Sequence, residues 1–228
     1  PALIAAIKTS ESDTRKSYAM MIGGSLLFIA VCFFGPLTWM HGIILLAALA
    51  YVLYDQAKEA LAHRAAEGED EEIEEADPSM PSWKIAVFLI LGLIGLPLGA
   101  DILVDAATSI ARRYGVSETA IGLTLVAVGT SLPELATVMA AVFRRQTDVI
   151  LGNVIGSNMF NLLAIIGVAT FFGDIPIPRP FLEFDLWVML AASILLAPFV
   201  FSKSMNITRL WGAVFAALYA AYIVMVLA

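Results

Sequence analysis

The sequence predicts an all-α integral membrane protein with about seven transmembrane helices, and three observations carry that prediction. Hydrophobic residues make up 60% of the 228 and charged residues 14%, with a mean hydropathy of +0.87. Soluble domains lie nearer roughly 45–50% apolar and about 25% charged. The apolar residues gather into seven segments, most of them long enough to cross a hydrocarbon core of about 30 Å. The acids are segregated: of 20, ten lie between Asp55 and Asp77.

Taken in order, the segments run Tyr18–Pro36, Met40–Tyr54, Trp83–Ile110, Glu118–Phe143, Val149–Phe172, Phe184–Phe201 and Arg209–Leu227. The second is short. Trp39, Trp83, Trp187 and Trp211 fall near predicted ends, where amphipathic rings sit at the headgroup level. The stretch 55–82 closes on Pro78 and Pro81 and divides the chain into 1–54, with two spans, and 83–228, with five. Its start, to about Arg64, suits a continuing surface helix, while Glu67–Asp77 is expected to stay solvated because its like charges repel. That run lacks the glycine-punctuated spacing of an EF-hand.

Basic residues orient the spans. With the N-terminal tail cytoplasmic, ten of the 13 Lys and Arg face the cytoplasm and Arg112, Arg113 and Arg179 face out. Cys32 stands alone, so no disulfide framework exists within the chain, and His41 and His63 do not suggest a zinc or triad centre.

The chemistry concentrates in consecutive spans. In Ala127-Val128-Gly129-Thr130-Ser131-Leu132-Pro133-Glu134, an ionisable carboxylate lies inside an apolar stretch. Charge at bilayer depth costs about 2.5–3.5 kcal/mol, so such residues face an ion pathway or a partner. On a continuous helix, Thr130 and Glu134 share a face. Pro133 has no N–H for the carbonyl of Gly129, and a carbonyl freed in hydrocarbon must find another partner. The run thus offers backbone oxygens, two hydroxyls and a carboxylate, hard ligands suited to Na⁺ and Ca²⁺.

The next span reads Gly152-Asn153-Val154-Ile155-Gly156-Ser157-Asn158-Met159-Phe160-Asn161. Asn153, Ser157 and Asn161 recur every four residues as a polar stripe, and Gly152 and Gly156 permit close helix approach. Taken singly, the stripe also fits hydrogen-bonded packing, worth about 0.6–2 kcal/mol per bond, and Glu134 fits a structural ion pair. Together, in consecutive spans, they favour coordination.

Gly129-Thr130-Ser131-Leu132-Pro133-Glu134 followed by Gly152-Asn153-x-x-Gly156-Ser157-Asn158-x-x-Asn161 resembles the α-repeat signature of the cation/Ca²⁺ exchanger superfamily, and is most similar to the prokaryotic sodium/calcium exchangers. The resemblance implies an inverted-repeat antiporter fold, normally of ten helices in two halves, in a cell (inner) membrane. It implies metal ligands at Ala127 (through its carbonyl), Thr130, Ser131 and Glu134, joined by Ser157 and Asn161. Transported Ca²⁺ and Na⁺ are then the partners, with no cofactor. Asn161 departs from the aspartate of many family members and leaves Glu134 as the titratable group of this repeat. Asp101, in a Gly-Ala-Asp-x-Leu-Val run that also resembles the family, and Asp105 just after it are expected at the outer interface, paired with Arg112 or Arg113 or meeting water, the alternative being that they line the extracellular ion entry.

The family uses two repeats, whereas this chain shows one. The expectation is therefore a C-terminal part of an exchanger, its ion site completed by a missing N-terminal half or a second chain. The ten-to-three basic bias argues against a copy inserted upside down. The expected function is secondary active exchange of Ca²⁺ for Na⁺ by alternating access. The alternatives are an H⁺/Ca²⁺ or K⁺-dependent Na⁺/Ca²⁺ antiporter and, from another class, a cation channel or a non-transporting membrane subunit. An enzyme is not expected. A hydrolase built on Ser131 or Ser157 lacks a histidine or lysine base at depth.

Overall fold

The computed structural model describes residues 1–7, 14–67, 80–116, 121, 124–125, 127–202 and 205–227, with side chains at all of these except 63–67, 127 and 227. The protein is all-α, with helices α1 (Arg15–Cys32), α2 (Trp39–Glu67), α3 (Ser82–Arg113), α4 (Ala127–Thr130), α5 (Leu132–Phe143), α6 (Thr147–Ala169), α7 (Phe181–Phe201) and α8 (Arg209–Leu227) among the described residues. Five are long and apolar enough to cross a bilayer: Trp39–Ala62, Ser82–Arg113, Thr147–Ala169, Phe181–Phe201 and Arg209–Val226. The other two expected spans correspond to α1 and to the pair α4 and α5. The solvated run expected over Glu67–Asp77 lies almost wholly outside the described residues.

Two compact units divide the helices. One comprises Lys8–Glu72 and Thr147–Asn206, hence α1, α2, α6 and α7. Its core joins Phe28, Ile29 and Cys32 of α1 to Leu45 and Leu49 of α2, Leu163 of α6 and Leu186 of α7. A second cluster gathers Tyr18, Met21, Val52, Ile155, Met159 and Val200. The Tyr18 hydroxyl donates to the Ser193 carbonyl at 2.9 Å, so an otherwise costly buried phenol is satisfied across helices. Small residues let α2 and α6 approach: a Cβ on Gly42 would meet the Thr170 hydroxyl and the Gly167 carbonyl, and one on Gly167 would stand 2.9 Å from Leu46 Cγ.

The second segment runs further than its apolar stretch. Gln56 to Ala62 are good helix formers, and Lys16 fastens the extension to α1 through Asp55 and Glu59, the latter at 2.9 Å. Three of the ten clustered acids, Asp55, Glu59 and the terminal Glu67, therefore belong to a helix, the first two in ion pairs. Those hydrogen bonds, that to Asp55 first, hold the Lys16 ammonium above its ordinary pKa. Opposite the Lys16 end of α1, the Leu37 and Ile175 backbones exchange two bonds of 2.9 Å.

The other unit comprises Pro1–Ile7, Ile73–Gln146 and Ile207–Ala228, hence α3, α4, α5 and α8. Helix α3 packs on α4 and α5 and buries none of its own residues. Asp101 and Asp105 on it are exposed. It ends in a Schellman turn: Val116 N–H reaches the Ala111 carbonyl at 3.1 Å while Gly115 takes φ +75°. Helix α5 closes the same way, Gln146 N–H on the Ala141 carbonyl at 2.9 Å, but with Arg145 in the left-handed position at φ 58°. Residues 1–7 brace the start of α8 through the Ile7–Ile207 bridge and an Arg209 bond to the Ile4 carbonyl at 2.9 Å.

Candidate cation site

The fourth segment is not one continuous helix. Ser131, at φ −94° and ψ 3°, leaves the helical region between α4 and α5, which corrects the expectation that an unbroken helix sets Thr130 and Glu134 one turn apart. Pro133 explains the break, since it occupies the first turn of α5, where a missing N–H is tolerated. Ser131 N–H turns back to the Val128 carbonyl at 3.1 Å, and the Ser131 carbonyl accepts Leu135 N–H at 2.9 Å. The Pro133 carbonyl takes a second donor, the Thr137 hydroxyl, at 3.0 Å.

Glu134 lies in the first turn of α5 and is half-buried. Its Oε2 is buried and has no hydrogen-bond partner among the described residues. Buried carboxylate oxygens are ordinarily paired, so an unpartnered one needs an ion, a water or a proton to satisfy it. Thr130 and Ser131 are exposed, and Ala127 opens α4. Gly129 is buried, with Val104 of α3 filling the place a Cβ would take. A glycine here is therefore a packing requirement as well as a source of carbonyl access.

In the other unit, Ser157 and Asn161 lie on α6. Ser157 is half-buried and its hydroxyl donates to the Val154 carbonyl at 3.3 Å, while the Asn158 amide donates to that carbonyl at 2.8 Å. With its proton so used, the Ser157 hydroxyl keeps its lone pairs for a cation. Asn161 is exposed and sits in a π turn, Phe160–Ile165, where its carbonyl accepts Ile166 N–H five residues on. Such turns concentrate at functional sites. Nothing in the sequence marks this one, because the polar stripe ends where it begins. Among the described residues no group of three or more His, Cys, Asp or Glu could hold a metal ion. The candidate donors of the two units, each taken by itself, are one carboxylate with hydroxyl and backbone oxygens in that of α5 and a hydroxyl and an amide in that of α6.

The sodium/calcium exchanger protein family model matches residues 84–228, more than half of the chain. The chain belongs to the sodium/calcium exchanger family. It is 40% identical over 142 residues to the putative antiporter CaxA of Alkalimonas amylolytica, covering 61% of this chain and 44% of that one. It is 42% identical over 117 residues to the sodium/calcium exchanger MaX1 of Methanosarcina acetivorans, covering 51% of this chain and 33% of the relative. The chain thus spans less than half the length of these two relatives. The solved structure of the sodium-calcium exchanger NCX_Mj soaked with Na⁺ and Sr²⁺ superposes with a TM-score of 0.75 at 33% identity, over 98% of this chain and 69% of that one. The fold of this exchanger-family chain is accordingly part of a transporter fold, and these two relatives and this solved structure are named for antiport or ion exchange rather than for an enzymatic reaction.

Proposed function

We propose that the protein acts as a secondary active antiporter that exchanges Ca²⁺ for Na⁺ across the cell membrane by alternating access. The observation that carries the reading is the buried, unpartnered Oε2 of Glu134 beside a helix break, in a chain of the exchanger family. On this reading Ala127, Thr130, Ser131 and Glu134 supply one set of ligands and Ser157 and Asn161 another. A counterpart repeat, from residues beyond these 228 or from a second chain, completes the shell. Residues 83–228 then form one five-helix half, 1–54 end the other, and the acidic connection between them is cytoplasmic, as the basic residues favour.

The exchange follows from shared ligands. Ca²⁺ needs more carboxylate charge than Na⁺ to offset its dehydration, and both ions use Glu134. Full loading of one therefore excludes the other, and the site crosses with one cargo at a time. Removing the charge at Glu134 should abolish transport: Glu134→Gln in the full-length protein, in vesicles, should lose Na⁺-dependent ⁴⁵Ca²⁺ uptake. Uptake at the wild-type rate would remove Glu134 from the site.

Glu134 as the titratable ligand of the repeat also supports H⁺/Ca²⁺ exchange as a second reading, because a carboxylate can trade its proton for the metal. Uptake driven by a Na⁺ gradient against a pH gradient, with and without K⁺, separates these couplings. Coupled counterflow without single-channel current excludes a channel.

A further inference from the structure

The start of α2 carries a device that neither the exchanger reading nor the candidate ligands use. The Thr38 carbonyl accepts the first helical bond, from Gly42 N–H at 3.1 Å, so Thr38 is the N-cap. Its own N–H donates to Nδ1 of His41, three residues on, at 3.1 Å. The Thr38 hydroxyl lies 3.2 Å from the same nitrogen. A capping box normally uses Glu or Gln in that third position, reaching back to the N-cap N–H. Here an imidazole occupies it.

The direction of the bond fixes the proton. A backbone N–H can only donate, so Nδ1 must present a lone pair, and the ring is the neutral tautomer with hydrogen on Nε2. A protonated imidazole has no lone pair to offer. Its Nδ1–H could still donate to the Thr38 hydroxyl but would oppose the Thr38 N–H, and its charge would sit unfavourably at the positive end of the helix. The cap is therefore available to one protonation state only.

The turn is well placed to pass on such a change. The residue before the cap, Leu37, is bridged to Ile175. The residue after His41, Gly42, lies hard against Thr170 and Gly167 at the end of α6. Along the stretches packed here, 31–38 and 166–177, Asp174 is the one charged residue and the buried Cys32 thiol the other titratable group. The Thr170 hydroxyl is committed to the Gly167 carbonyl at 2.8 Å.

We infer that His41 is a pH-sensitive cap: in its neutral form it holds the first turn of α2, and its protonation releases the Thr38 amide and frays that turn. The test is made on the full-length protein in lipid nanodiscs, with His63→Gln removing the other histidine signal. As pH is lowered until the His41 ring is protonated, protection of the Thr38 amide against hydrogen exchange should fall roughly fivefold beyond the intrinsic pH effect. The His41 ¹⁵N shifts should report an unprotonated Nδ1 wherever the Thr38 amide is protected, and a protonated Nδ1 wherever that protection is lost. His41→Glu should keep the protection at pH 5, because an ordinary glutamate titrates near about 4.3. A His41 ring with hydrogen on Nδ1 at neutral pH, or Thr38 protection that does not change while the ring titrates, overturns the inference. Both of those readouts need only the histidine at 41 and hold even where the Glu variant fails to fold.

Discussion

At the start of α2, Thr38 is followed three residues later by His41; at the start of α5, Ser131 is followed three residues later by Glu134. By pattern alone the second pair is the capping box and the first is not. At α2 the imidazole nonetheless accepts the N-cap amide at 3.1 Å. At α5 the Ser131 N–H is spent on the Val128 carbonyl, and Oε2 of Glu134 is left buried without a partner. One side chain is consumed by local structure and the other is held in reserve. A residue type at a helix start therefore says what bonds are available, and the backbone around it decides whether they are used.

The sharpest way to break this comparison is to neutralise each member. Glu134→Gln should lose ion exchange altogether while leaving the thermal midpoint of the purified protein no lower, because it removes an unsatisfied carboxylate oxygen rather than a bond. His41→Gln should transport at neutral pH. A Glu134→Gln protein that unfolds several degrees earlier would mean that the carboxylate is structural after all.

Next in size are the glycines beside each site. Gly129→Ala should cost about 1–3 kcal/mol, since its methyl overlaps Val104 in the contact between α3 and α4. Gly42→Ala should cost a similar amount, about 1–3 kcal/mol, by pushing on Thr170 and Gly167. Thermal unfolding reads both, and a neutral Gly129→Ala would show that α4 shifts freely.

Smaller is the strain at the far end of α5. Arg145 occupies a left-handed position at φ 58°, so Arg145→Gly should stabilise by roughly 0.5–1 kcal/mol. A fall in the thermal midpoint would mean that the arginine side chain offsets its own strain.

The smallest effect is expected from the Lys16 clasp. Asp55 and Glu59 raise its pKa in the folded protein above the ordinary 10.5. Its contribution is therefore complete below about pH 10.5 and lost as pH rises through the folded value. Lys16→Met should lower the midpoint slightly at pH 8 and make no difference near the top of the alkaline range. Equal effects at both would assign the loss to packing of the lysine stem.

Most of the helices were legible because their signals are local. The seventh segment coincides with α8, and the fifth and sixth lie within a few residues of α6 and α7. The continuation past Tyr54, expected to about Arg64, is met by α2 running to Glu67, because helix propensity and the Lys16 contacts carry on where hydropathy stops. The candidate donors were legible as residue types: Glu134, the two hydroxyls beside it, and the Ser157–Asn161 spacing. The break at Ser131 was half legible, since Pro133 foretold a freed carbonyl but not a full interruption. The cap at His41 was not legible at all, because a histidine is rare in that role and its tautomer depends on the donor facing it.

The sequence by itself determined the class of molecule, its polar donors and their order along the chain, because bilayer crossing depends on apolar length and coordination chemistry on atom type. Only the tertiary structure decided which polar atoms were already satisfied. That depends on backbone angles at single residues such as Ser131, on a π turn at Asn161, and on how close Gly42 and Gly129 let neighbouring helices come. A hydrogen bond needs its partner within about 3 Å and correctly aimed, and no pattern of residue types carries that information.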